Sequence, residues 1–275
     1  MVAATSQLKQ SPTWSKAVCH TATEFGRTTL PILSGSIPEG LRGSLYRNGP
    51  ARLERGGKRV GHWFDGDGAV LAVQFAQAGA TATYRYVKTA FYETEEKAGK
   101  FLYGGYCMTS PGALWDKFRA TKNAANTSVL ALPDKLLALW EGGNPHVLDL
   151  QTLETIGIDD LSGLQENLPY SAHPKRDPKT GEIFNFGITY GKTGAIQVYR
   201  SDATGKVVQK GTIALDGLPI IHDFVMAGPY LLFFVPPVRM NPLYFLSRIK
   251  SYSDSLTWQP ELGTQILVID RNTLE

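Results

Sequence analysis

Two cysteines in 275 residues, Cys19 and Cys107, exclude a disulfide framework of any density and point to a reducing, cytoplasmic setting. Residues 1–7 carry no charged start followed by an apolar core, so a secretory signal is not expected. Without one, the sequon Asn126-Thr127-Ser128 carries no weight. Long apolar runs are missing as well. The longest, residues 230–235, has strand length and stops at Pro236-Pro237, well short of the ~20 residues of a spanning helix. Charge of one sign is scarce: the net charge is +3, and no basic run or basic stripe with interleaved aromatics occurs, which excludes nucleic acid as a partner. No Gly-x-Ser-x-Gly elbow is present, which removes the common serine hydrolases. Gly191-Lys192-Thr193 lacks the leading glycine of a phosphate loop, because position 186 is Phe, and it lies between expected strands.

What the chain does have is 28 Gly, 16 Pro and short apolar runs separated by turn residues. Residues 1–34 are polar and irregular and read as an extension or strap, with one domain over 35–275. Residues 44–47 predict a strand ending at a turn, Asn48-Gly49-Pro50. Residues 70–75 and 83–87 predict a hairpin around Ala78-Gly79-Ala80, and 129–132 and 136–140 another around Pro133-Asp134-Lys135. Further strands are expected at 146–150, 182–188, 195–200, 207–215, on either side of Gly228-Pro229, and at 265–270. Part of 93–126 reads as rim helix, from the spacing of Leu114, Trp115 and Phe118. The pattern is all-β and meander-rich, without a tight internal repeat.

Four segments invite chemistry. They are Phe64-Asp65-Gly66-Asp67-Gly68, Trp140-Glu141-Gly142-Gly143, Ser171-Ala172-His173-Pro174 and Ile221-His222-Asp223. Asp65 to Gly68 lacks the further acids and terminal glutamate of a calcium loop and reads as a tight turn with glycine at positive φ. His173 and His222 are 49 positions apart, so they are no local pair on a helix, but neighbouring sheets could bring them to one axis. A lone histidine beside a proline or turn is also a common structural residue, so residue type alone leaves both readings open. Glu141 suits a carboxylate that accepts a metal-bound histidine's other ring N–H, or a simple turn cap.

Together and in this order, the four segments resemble the carotenoid cleavage oxygenases, and within them the cyanobacterial apocarotenoid-cleaving branch. The resemblance covers about residues 35–275. It implies a seven-bladed β-propeller, present here as about its first half, and an iron(II) centre held by four histidines with no carboxylate ligand. His173 matches the first of these ligands and His222 the second, and Glu141 matches a glutamate behind the ligands. His62, His146 and His20 match none and are assigned to structure or surface. The implied activity inserts both atoms of O2 across a conjugated double bond of an apocarotenoid or carotenoid, giving aldehyde products. Related enzymes are almost twice as long, so the chain is expected to be truncated, and a complementary C-terminal chain is expected to supply the other ligands. The alternative is a non-catalytic polyene-binding or regulatory protein. Segment 236–258 mixes apolar, aromatic and cationic residues, which suits either peripheral membrane contact or packing on the rim.

Overall fold

A computed structural model describes residues 20–165, 168–191 and 193–275. The described residues are mostly β and build four antiparallel sheets of three or four strands in sequence order, besides two small two-stranded ribbons, Glu54–Arg55 with Lys58–Arg59 and Val238–Met240 with Leu256–Trp258. The first runs Phe25–Leu30, Gly79–Tyr86, Asp67–Ala76, Gly43–Arg52; the second Thr155–Ile158, His146–Leu148, Leu136–Leu139, Ser128–Ala131. The third runs Lys175–Arg176, Ile183–Tyr190, Gly194–Ser201, Val207–Ala214; the fourth Phe224–Ala227, Tyr230–Val235, Gln265–Asp270. The second and third sheets are simple meanders of consecutive strands, whereas in the first Phe25–Leu30 pairs with the distant Gly79–Tyr86 and in the fourth Gln265–Asp270 returns to Tyr230–Val235 after an inserted excursion.

Strand periodicity explains how the sheets stack. Leu136, Leu137, Ala138 and Leu139 are all fully buried, because this strand is covered on both faces. Leu136 and Ala138 pack with Val70, Ala72 and Val87 of the first sheet region. Leu137 and Leu139 point the other way, onto Ile183, Tyr199 and Val207 of the third sheet. The third sheet repeats the device, with Phe184, Phe186, Ile196 and Val198 meeting Phe224, Leu231, Phe233 and Ile269 of the fourth. Sheet thus packs on sheet in chain order, and one inner strand serves two cores.

Both expected hairpins form, Asp67–Ala76 with Gly79–Tyr86 and Ser128–Ala131 with Leu136–Leu139. Four sequence expectations need correction. Residues 48–50 make no turn: Gly43–Arg52 runs through them, pairing Asn48 with Val70 and Pro50 with Gly68. That strand lies at the sheet edge, where proline's missing N–H breaks no ladder, and Asn48 Nδ2 donates to the Ala125 and Ser128 carbonyls (2.8 and 3.0 Å). Within 1–34, residues 1–19, Cys19 included, lie outside the described residues, but Phe25–Leu30 is a strand paired with Gly79–Tyr86 rather than an irregular strap. The helix spans Ala90–Ala98, capped by Thr89 and by Gly99 at φ 62, and Leu114–Phe118 is only a short 3-10 turn with exposed apolar side chains.

The glycines after Asp65 and Asp67 are the fourth correction. Gly66 has φ −69 and Gly68 is not at positive φ. Their role is close approach: a Cβ on Gly68 would lie 2.2 Å from the Ala125 carbonyl oxygen. Gly187 in the third sheet is tighter still, 1.9 Å from the Pro169 oxygen. Gly187→Ala is expected to cost about 2–3 kcal/mol, by forcing backbone shifts in a packed region. Urea unfolding checks it, and a midpoint equal to that of the parent would refute the packing argument.

Candidate metal centre

Three successive sheets each deliver one side chain to a common point. Glu141 follows the inner strand Leu136–Leu139 of the second sheet, His173 precedes Lys175–Arg176 of the third, and His222 precedes Phe224–Ala227 of the fourth. One ligand atom from each of the three lies within 4.8 Å of the others, and no other such group occurs among the described residues.

Local structure holds each residue in place. The His173 backbone N–H donates to Ser171 Oγ (3.3 Å), and Ser171 is locked to buried Asn185, whose Nδ2 donates to the Ser171 carbonyl (2.8 Å). Pro174 then fixes the exit of the chain. The two histidine loops are clipped together by Lys175 Nζ and Asp223 Oδ1 at 2.8 Å. Trp140 lies against the backbone that follows Glu141; a Cβ on Gly142 would sit 2.6 Å from the Trp140 ring.

The two histidines meet through Nε2, 3.1 Å apart, with ring centroids 4.5 Å apart. Glu141 contacts the opposite nitrogen, Nδ1 of His222. That contact fixes the tautomer: Nδ1 carries the proton towards Glu141 and Nε2 presents a lone pair. Two imidazole nitrogens bound at a right angle, each ~2.1 Å from one ion, stand ~3.0 Å apart, whereas a tetrahedral pair stands ~3.4 Å apart. The observed separation fits adjacent positions around one ion with a near-right angle. Neutral imidazoles suit iron, and Glu141 contacts His222 at the nitrogen away from His173.

The electrostatics agree with this arrangement. The contact with Glu141 raises the His222 pKa against the opposing effect of burial, while burial, followed by the neighbouring His222, lowers that of His173. Burial opposes ionisation of Asp223, yet the Lys175 contact holds its carboxyl below the usual range. His222 remains 62% exposed, so its outer side is open.

Sequence reading singled out His173, His222 and Glu141, and the structure brings all three together. It also shows that Glu141 contacts His222. His62 instead caps a 3-10 turn, accepting from the Phe64 N–H through Nδ1 (3.2 Å), and His146 is buried in the second sheet, while His20 is exposed. Asn126 of the sequon is buried and donates to the Phe64 and Gly66 carbonyls (2.7 and 2.8 Å). Three phenols escaped the sequence reading. Tyr106, Tyr190 and Tyr252 lie near Glu141; burial, with a contribution from the Glu141 charge, raises the pKa of each. The Tyr106 and Tyr252 rings lie 6.0 Å apart, and Tyr106 also meets Phe64 at 5.4 Å. Only the hairpins and loops bring these residues together, so no local pattern announces them.

A model of the family described as RPE65, retinal pigment epithelial membrane protein, matches residues 19–275. Apocarotenoid-15,15'-oxygenase of Synechocystis is 38% identical over 251 residues, covering 87% of this chain and 51% of that protein. Isoeugenol monooxygenase of Pseudomonas nitroreducens and resveratrol cleavage oxygenase 1 of Aspergillus fumigatus are each 33% identical, over 87% and 86% of this chain. These alignments span 49% and 47% of the two proteins. A solved Synechocystis apocarotenoid oxygenase variant superposes with a TM-score of 0.87 at 35% identity, over 94% of this chain and 56% of that one. A cobalt-substituted form of that enzyme gives 0.83 at 36% identity, over 91% and 54%. The chain therefore spans about half the length of the relatives it matches. On the family match over nearly its whole length, and on the histidine and glutamate constellation at its centre, the chain belongs to the carotenoid cleavage oxygenase (RPE65) family.

Proposed function

We propose that the chain supplies two of the iron ligands, His173 and His222, of a non-haem iron(II) dioxygenase that cleaves a conjugated double bond of an apocarotenoid to aldehyde products. The observation that carries this reading is the approach of the two Nε2 atoms to 3.1 Å with Glu141 on the far nitrogen of His222. Iron bound there would supply O2 activation. The chain's own residues set the frame for it. Glu141 holds the His222 lone pair inward, the Lys175–Asp223 clip fixes the spacing of the loops, and the aromatic side chains around Tyr106 offer an apolar wall to a polyene. The likeness to an apocarotenoid oxygenase favours that substrate class over stilbenes and isoeugenol, at which similarity is lower.

In this reading the four sheets are part of a seven-bladed propeller, and a complementary C-terminal polypeptide brings the remaining ligands. Membrane contact through 236–258 fits the same function, because polyenes reside in lipid. No described helix is long and apolar enough to cross a membrane. Leu243, Leu246, Ile249 and Trp258 are each at least 64% exposed, which supports membrane contact through this segment.

The test is iron content after anaerobic Fe(II) loading, with and without the complementary half, followed by apocarotenal turnover. Iron and turnover in the completed protein are the expected result. Their absence there would overturn the enzyme reading and leave a non-catalytic polyene binder. Glu141→Gln is expected to weaken iron binding about 10-fold and Glu141→Ala up to about 100-fold, the usual range for a carboxylate behind a ligand. A metal titration of the completed protein measures both, and unchanged affinity in the alanine variant would remove Glu141 from this role.

A further inference from the structure

The two histidines are held by different means. Glu141 contacts the ring of His222 at Nδ1. The ring of His173 has no such support: its Nε2 meets His222, and no partner for its Nδ1 occurs among the described residues. A ligand must be held within ~0.5 Å of its working position, so one without a partner behind its ring needs a constraint of another kind. That constraint lies in the backbone leading into His173. The Tyr170 N–H donates to the Gly143 carbonyl (3.4 Å), just beyond Glu141, and the Ser171 N–H donates to the Phe186 carbonyl (2.7 Å). Ser128 Oγ donates to the Ala172 carbonyl.

Ser171 is the centre of this frame. Its hydroxyl has a single proton, which goes to Asn185 Oδ1 at 2.5 Å. The oxygen is thereby left to accept the His173 N–H at 3.3 Å. Asn185 Nδ2 donates back to the Ser171 carbonyl at 2.8 Å, so the amide and the serine bond each other reciprocally. Ser171 is 3% exposed and Asn185 0%, and the buried Tyr170 hydroxyl also bonds Asn185. Without the serine hydroxyl, Asn185 Oδ1 would be left unpaired in the interior and the His173 N–H would lose its tether. An unpaired buried acceptor is costly, so the segment would shift to find other partners.

We infer that Ser171, set by Asn185, is the positioning residue of His173. The pair acts through the main chain on the ligand whose ring lacks a carboxylate partner, and so does for His173 what Glu141 does for His222 at the ring. The inference rests on the metal reading above and deepens it: one ligand is steered at its side chain, the other at its backbone. Loss of a support behind a ligand lowers metal affinity about 10- to 100-fold, and a support that acts through one backbone N–H belongs at the lower end, about tenfold.

Copper(II) titration of the full chain, read by electron paramagnetic resonance, tests it. Copper(II) is the probe because it binds imidazole more tightly than iron(II) does. Wild type is expected to bind copper with nitrogen coupling from both imidazoles, and His173→Ala to lose that of His173. Ser171→Ala is expected to weaken binding about tenfold and to alter the copper spectrum, while Ser171→Thr, which keeps the hydroxyl, retains the parental affinity and spectrum. Asn185→Thr removes the partner instead, is expected to lose as much, and carries the test should Ser171→Ala not fold. The double variant loses no more than either single one, because the two residues act as a unit. Ile196→Ala, which empties part of the core between the third and fourth sheets, lowers the unfolding temperature but leaves affinity and spectrum unchanged. Parental affinity in Ser171→Ala, or an equal loss in Ile196→Ala, overturns the positioning role. Losses that add in the double variant overturn the pairing of Asn185 with the serine. A wild-type chain that does not bind copper through His173 overturns the metal reading and this inference together.

Discussion

Lys122→Met is expected to destabilise the chain by about 3–5 kcal/mol, far more than an ordinary surface lysine. Lys122 belongs to a buried set of four charges, with Arg55, Asp67 and Glu95, each at most 4% exposed, and Arg55 also meets the more exposed Glu96. Arg55 Nη2 lies 3.0 Å from Asp67 Oδ2 and Arg55 Nε 3.7 Å from Glu95 Oε2. Lys122 Nζ bridges the same two acids, 3.1 Å from Asp67 Oδ1 and 3.2 Å from Glu95 Oε2. Glu95 Oε1 also accepts the Leu102 and Tyr103 N–H groups (2.8 and 3.1 Å). The four residues come from a small hairpin, the start of strand Asp67–Ala76, helix Ala90–Ala98 and the loop before the second sheet. Their ion pairs hold four separate segments together. Removing one cation leaves two buried carboxylates sharing one guanidinium, and an uncompensated buried charge is what makes such a loss large. Asp67→Asn added to Lys122→Met restores neutrality and is expected to recover more than half of the loss. A double-mutant cycle by urea unfolding decides it. Additive losses in the double variant would show that the charges do not act as a set.

Lowering the pH from 7.5 to 4.5 is expected to remove about 2–3 kcal/mol of stability through His146 alone. This side chain is 4% exposed within the second sheet, and no hydrogen-bond partner for its Nδ1 occurs among the described residues. Burial pushes its pKa down from 6.5 to about 4, and no neighbouring charge contributes. Between those values the unfolded chain binds a proton that the folded chain refuses. The contribution is therefore complete above 6.5 and is lost as pH falls through the window towards about 4. Urea unfolding of wild type and His146→Leu at both pH values checks the sign and the size. The leucine variant should lose correspondingly less on acidification, and equal losses in the two proteins would mean that other groups control the acid response.

The sequence reached the centre more securely than it reached its supports. His173, His222 and Glu141 each stand in a short segment with recognisable neighbours. Asp223 stands beside His222 in such a segment, but its partner Lys175 and the phenols of Tyr106, Tyr190 and Tyr252 belong to none. Asp67 shows the limit from another side. It lies in the conspicuous Asp65-Gly66-Asp67-Gly68 motif, and local turn chemistry explains Asp65, which accepts the His62 N–H at 3.0 Å. Local chemistry says nothing of Asp67, whose partners lie 12 and 55 residues away in the chain, at Arg55 and Lys122. Proline misled for a related reason. Pro50 reads as a turn unless its strand is known to be the edge of a sheet.

What the sequence by itself determined is the set of hairpins and the identity of the central residues. Alternating apolar positions and punctuating Gly, Pro and Asp act over a few residues, and so they are visible in the chain. What only the tertiary structure decided is which strand is buried on both faces, which glycines are there for close approach, which histidine Glu141 contacts, and which charges neutralise one another in the interior. Each of these depends on distances between segments far apart in the chain. Such distances are fixed when sheets pack on sheets, because burial makes an unpaired charge or an added methyl group costly only where another segment has closed over it.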